Sequence, residues 1–183
     1  MTGDLRVIRT KNSIRQAFID MLCEMDYEKI TVQELTKRAM INRKTFYLHY
    51  MSIDDLLLEF QTEMIENFIR RTKKMERPQD MDKVTREFFM TAEELGKLGE
   101  KLICSVSNKY ISKKISDEIM KHTWKTPQQE NKKYLQKVMM SFVSQSTLAI
   151  YRQWVSDGRK IPIDEIIDLA TQLICNGTNS LCL

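Results

Sequence analysis

The sequence predicts an all-α protein made of a small N-terminal three-helix module followed by a larger helical bundle. Three observations carry this. Five glycines and three prolines in 183 residues leave few places where a helix must break. Apolar residues recur at spacings of three and four along nearly the whole chain. Capping residues stand in front of several of these runs. With 42% apolar and 30% charged residues, the chain has the balance of an ordinary globular protein and can bury a real core.

The elements follow in order. Ile14, Phe18, Met21, Leu22 and Met25 predict a first helix from about Thr10 to Met25. Thr31-Val32-Gln33-Glu34 reads as a capping box: Thr31 accepts from the Glu34 backbone, and the Glu34 side chain reaches back. Val32, Leu35 and Ala39 form the inner face of this short second helix. Asn42 is a good N-cap for a third helix to about Tyr50, and Phe46 and Tyr50, four apart, share its inward face. Ser52, Asp54 and Asp55 open a fourth, whose apolar positions carry it to about Lys74. A fifth spans about Lys83 to Leu95, a short one lies around Lys101 to Val106, and another runs from about Asn108 to Trp124. The long stretch from about Glu130 to Ser156 has apolar residues on more than one stripe, which predicts cover on two sides. Asp157-Gly158 ends it, and Ile163, Ile166, Ile167, Ala170, Leu173 and Ile174 mark a last helix. The expected division is 1–52 for the small module and 53–183 for the bundle.

Function classes narrow by exclusion. No run of apolar residues approaches the length of a membrane span, and no secretory leader is read at the start, so a cytoplasmic protein is expected. Cys23, Cys104, Cys175 and Cys182 form no paired spacing, which speaks against a metal site or a disulfide framework. The two histidines, His49 and His122, are joined by no glycine-rich phosphate loop and no nucleophile constellation, so neither an enzyme nor a cofactor is expected. Charge says more. The net charge is only +4, yet Arg6, Arg9, Lys11, Arg15, Lys37, Arg38, Arg43 and Lys44 crowd the first 50 residues. That is the footprint of a surface for a polyanion.

The second and third helices, joined by a short turn, match a helix-turn-helix, whose second helix enters the DNA major groove by its N-terminal end. Arg43 and Lys44 sit at that end. Cations at a helix start cost about 0.3–1 kcal/mol each when exposed, whereas Asp54 and Asp55 of the next helix obey the dipole rule. A rule broken there and kept next door implies a negative partner from outside, such as phosphates or a guanine edge. Thr31, Thr45, Tyr47 and His49 can hold phosphate oxygens, and Gln33 can reach a base edge.

The stretch "ITVQELTKRAMINRKTFYLHYMSIDDLLLEF" resembles the DNA-binding domain of the TetR/AcrR family of bacterial transcriptional regulators. The match is close over about 30 residues, through "TV..L...A", "TFY.HY" and "S..DLL". The resemblance implies phosphate contacts from Thr31, Thr45, Tyr47 and His49, and base or phosphate contacts from Gln33, Asn42, Arg43 and Lys44. It implies a C-terminal ligand-binding and dimerisation domain. The last two long helices, about 130–156 and 163–178, would form a homodimer interface, and an unknown small molecule would release a repressor from a pseudopalindromic operator. Phe88, Phe89, Met120 and Trp124 are candidates for the ligand pocket, although aromatics and methionines at helical spacing also suit a plain core. Three departures keep a second reading open, a coregulator that acts through a protein partner. Met40 stands where the family usually has glycine, Lys44 where a small residue is common, and Ile53 where lysine is frequent.

Overall fold

The structure, a computed structural model, describes residues 2–76, 79–104 and 130–179. Among the described residues there are eight α-helices and no strand: α1 Thr2–Glu24, α2 Val32–Arg38, α3 Arg43–Tyr47, α4 Ile53–Thr72, α5 Met81–Glu94, α6 Lys97–Cys104, α7 Glu130–Ser156 and α8 Ile163–Asn179. The protein is all-α, with a helix-turn-helix near its N-terminus, as the sequence predicts. The helix expected at Asn108–Trp124, with His122 on it, lies outside the described residues, as does Cys182.

Three boundaries differ from expectation. Helix α1 starts at Thr2 rather than near Thr10, because its first turns expose Leu5, Val7 and Ile8 and so carry no buried stripe to read. Helix α3 stops at Tyr47 rather than Tyr50, and single bonds from the His49 and Tyr50 amides to the Phe46 carbonyl close its end. Helix α6 begins at Lys97, ahead of the expected Lys101.

The chain divides into two compact units, Met1–Thr62 and Glu63–Leu183, with the boundary inside α4. In the first unit Ile14, Phe18, Leu22, Leu35, Phe46 and Leu56 are fully buried. The Phe18 and Phe60 rings stack at 5.5 Å. Ser52 caps α4 by accepting from the Asp55 amide at 3.1 Å.

The turn between α2 and α3 explains Met40. Its amide donates to the Lys37 carbonyl at 3.3 Å, and the Ile41 amide to the Thr36 carbonyl at 3.0 Å. This is a Schellman C-cap, whose central residue takes the left-handed conformation. Met40 has φ 54° and is 93% exposed, so it adopts the glycine-like backbone without any packing to compensate. Met40→Gly is expected to stabilise the chain by about 0.5–1 kcal/mol, the left-handed penalty less glycine's chain entropy. Chemical denaturation reads the difference, and a destabilised variant would show that the turn is not strained.

In the second unit α5 packs against α6 and α8, and α7 against α6 and α8. Gly99 sets the α5–α6 approach: a Cβ there would lie 2.1 Å from the Ala92 carbonyl oxygen. Phe88, Phe89, Tyr151 and Trp154 form a cluster of edge-on rings. Arg159 stacks on Trp154 at 4.9 Å and pairs with Glu93 and Glu100. Helix α7 turns Met139, Met140, Val143, Tyr151 and Trp154 inward, while Leu135, Val138 and Phe142 stay exposed, as do Leu169 and Leu173 of α8. Among the described residues no helix is long and apolar enough to cross a membrane.

Candidate nucleic-acid interface and ligand cavity

The capped starts of α2 and α3 lie in the first unit, and α2 packs on α3. The Thr31 hydroxyl oxygen accepts from the Glu34 amide at 3.2 Å and its proton goes to the Glu34 carboxylate at 2.8 Å. The carboxylate therefore meets the hydroxyl instead of reaching back to the Thr31 backbone, and the charge it brings partly offsets the basic surface around it. The Asn42 carbonyl oxygen accepts from the Lys44 amide at 2.8 Å, which starts α3 at the expected place.

A helix of five residues has almost no stability of its own. Phe46 holds it: the side chain is 0% exposed, with the Tyr50 ring 5.7 Å away and the Tyr47 ring edge-on at 5.4 Å. With Phe46 inside, α3 leaves Arg43, Lys44 and Tyr47 exposed, and Asn42 and Gln33 are exposed beside them. Thr31 is exposed too, whereas Thr45 and His49 are half-buried. Among the described residues neither Arg43 nor Lys44 has an ion-pair partner.

Other cations of the basic segment have internal partners. Lys11 reaches Glu59 at 2.9 Å and Arg15 pairs with the same carboxylate. Arg38 pairs with Glu24 at 2.7 Å. The Tyr50 hydroxyl donates to Glu59 at 3.2 Å. Burial works to raise the Glu59 carboxyl, but the hydrogen bonds from Lys11 and Arg15 outweigh it and hold the group below its ordinary value. Burial and the Glu59 charge push the Tyr50 phenol well above its ordinary range, so it remains a donor. Lys11 and Arg15 thus brace α1 against α4, while Arg43 and Lys44 at the start of α3 stay without an ion pair among the described residues, as do Arg6 and Arg9 of α1 and Lys37 of α2.

The second unit contains a cavity of about 70 Å³ bordered by α4, α5, α6 and α7. Met64, Ile65 and Phe68 come from α4, Val84 and Phe88 from α5, and Met140 and Val143 from α7. Phe88 stands on the wall, whereas Phe89 is buried in the neighbouring ring cluster. Met120 and Trp124 lie outside the described residues. Thr85, Thr91, Ser144 and Thr147 also reach the wall. The sequence reading passed over them, although a threonine inside an apolar stripe was the available signal. Thr91 is 3% exposed, and its Oγ1 has no hydrogen-bond partner. Leaving such a hydroxyl unpaired costs about 1–3 kcal/mol.

In fold, with its helix-turn-helix and helical bundle, the chain is like solved TetR-type transcriptional regulators. It is similar to the TetR transcriptional regulator from Streptococcus agalactiae 2603V, with a TM-score of 0.69 and 22% identity over 95% of this chain and 98% of that one. It is also similar to the fatty acid degradation regulator FadR from Bacillus halodurans, with a TM-score of 0.63 and 16% identity over 92% and 95%. Among curated proteins, the uncharacterized HTH-type transcriptional regulator YxbF of Bacillus subtilis (strain 168) is 44% identical over 55 residues. That match spans 30% of this chain and 14% of the relative. No protein-family model matches the chain. The proteins it resembles are transcriptional regulators rather than enzymes.

Proposed function

We propose that the protein is a cytoplasmic transcriptional repressor that binds a pseudopalindromic operator in double-stranded DNA as a homodimer and is released by a small molecule. The observation that carries the DNA contact is the exposed, unpartnered pair Arg43 and Lys44 at the start of α3. Thr31, Gln33, Asn42, Thr45, Tyr47 and His49 surround it as phosphate and base-edge contacts. One short helix binds weakly, and a twofold dimer reads two half-sites about one DNA turn apart. The exposed apolar stripe of α7 and α8 is the surface for that dimer. The cavity is the ligand site, and α4, which lines it and continues into the first unit, carries the response.

Titration of the DNA near the protein's own gene at two salt concentrations tests the contact. Arg43→Ala is expected to weaken binding by about 1–3 kcal/mol if it pairs with guanine. If it holds a phosphate instead, the salt slope falls by about one. Binding indifferent to both salt and Arg43 would sink the assignment. One observation favours the coregulator reading: Met40, Leu48 and Met51, flanking α3, are all more than four-fifths exposed, and suit a protein partner. Absence of DNA retardation together with capture of a regulator would select it.

A further inference from the structure

The chain is rich in methionine, with twelve in 183 residues. Most of those described face inward: Met21, Met64, Met81, Met139 and Met140 are buried, and Met25, Met75 and Met90 are half-buried. Among the described residues only two are open to solvent, Met40 at 93% and Met51 at 83%. Both flank α3, Met40 in the turn before it and Met51 in the turn after it. At that exposure neither side chain packs the module, so a soft thioether stands bare on each side of the recognition segment. A thioether in water is open to two-electron oxidants, and exposure decides which methionine reacts first. The described thiols compete weakly. Cys23, Cys104 and Cys175 are half-buried, and burial pushes the Cys104 and Cys175 thiols up, away from the reactive thiolate.

We propose that Met40 and Met51 form a reversible oxidation site that governs DNA binding, with hydrogen peroxide as the oxygen donor. A sulfur lone pair attacks one peroxide oxygen, and the S–O bond forms as the O–O bond breaks. The oxygen that stays gives its proton to the oxygen that leaves, which departs as water. Sulfur loses two electrons, peroxide gains them, and each apolar side chain becomes a polar sulfoxide. Against DNA the sulfoxide oxygen, an acceptor, meets phosphate oxygens that are acceptors too, and loses its water without finding a donor. The consequence for DNA rests on the DNA-binding reading, whereas the order of oxidation does not.

Peroxide treatment of the full chain, followed by peptide mass mapping and DNA titration, tests the proposal. Sulfoxide is expected at Met40 and Met51 about tenfold sooner than at buried methionines such as Met21 and Met140. DNA affinity falls by about tenfold or more once both are oxidised. Methionine sulfoxide reductases restore it, whereas dithiothreitol, which rescues oxidised thiols, does not. The Met40→Leu/Met51→Leu chain binds DNA like the parent and keeps its affinity through the same treatment. Oxidation that starts elsewhere, a loss that dithiothreitol reverses, or an equal loss in the double variant overturns the proposal. A parent that binds DNA equally before and after sulfoxide formation sinks the switch alone. A parent that binds no DNA at all sinks the DNA-binding reading with it.

Discussion

Phe142→Glu is expected to yield a folded monomer that binds operator DNA about 10²–10⁴-fold more weakly than the parent. Phe142 lies on the exposed stripe of α7 with Leu135 and Val138, and 48% of its surface is open. Its ring lies against α8, 3.5 Å from where a Cβ on Gly177 would stand, so it touches both helices of the proposed interface. In the proposed dimer a glutamate there would lose its water, and none of the exposed apolar residues of the stripe would offer it a cation. In the monomer the same side chain stays wet and costs little. The loss in DNA affinity is the avidity of two linked half-site contacts, typically 10²–10⁴. Sedimentation gives the mass, circular dichroism the fold, and DNA titration the affinity. A variant that remains dimeric would move the interface away from α7 and α8.

Phe46→Ala has the second large effect. The ring is fully enclosed, and truncating a buried phenylalanine costs about 3–5 kcal/mol. Helix α3 has five residues and no stability without tertiary packing, so the loss falls on the element that carries Arg43 and Lys44. DNA binding should vanish even though no proposed contact residue has changed. Urea denaturation followed by circular dichroism measures the cost. A loss under about 1 kcal/mol would mean that α3 is held by something other than Phe46.

Local chemistry made much of the first unit legible. Asn42 and Thr31 cap helices because their side chains reach amides two or three residues on, a relation that spacing reveals. Phe46 and Tyr50 turn inward because they are four apart on a helical path. Long-range pairing was not legible. Arg15 and Glu59 are 44 residues apart, so the sequence counted Arg15 as surface charge when it is a brace. The start of α1 was missed because its first turns bury no stripe. Of the second unit, periodicity gave the helices. Which threonine lacks a partner depends on side-chain geometry across four helices, and spacing along one of them carries no trace of it.

The contact at Gly99 has a mechanical consequence. Where α6 meets the Ala92 carbonyl, a Cβ on Gly99 would strike backbone, with the Leu95 Cβ 3.0 Å away as well, so no flexible side-chain end is there to yield. Helices α5 and α6 therefore act as one stiff plate, with Thr91 and Ala92 on one part of the cavity wall and Ile103 on another. Whatever swells the cavity has to displace the compliant walls instead, the methionine-lined faces of α4 and α7.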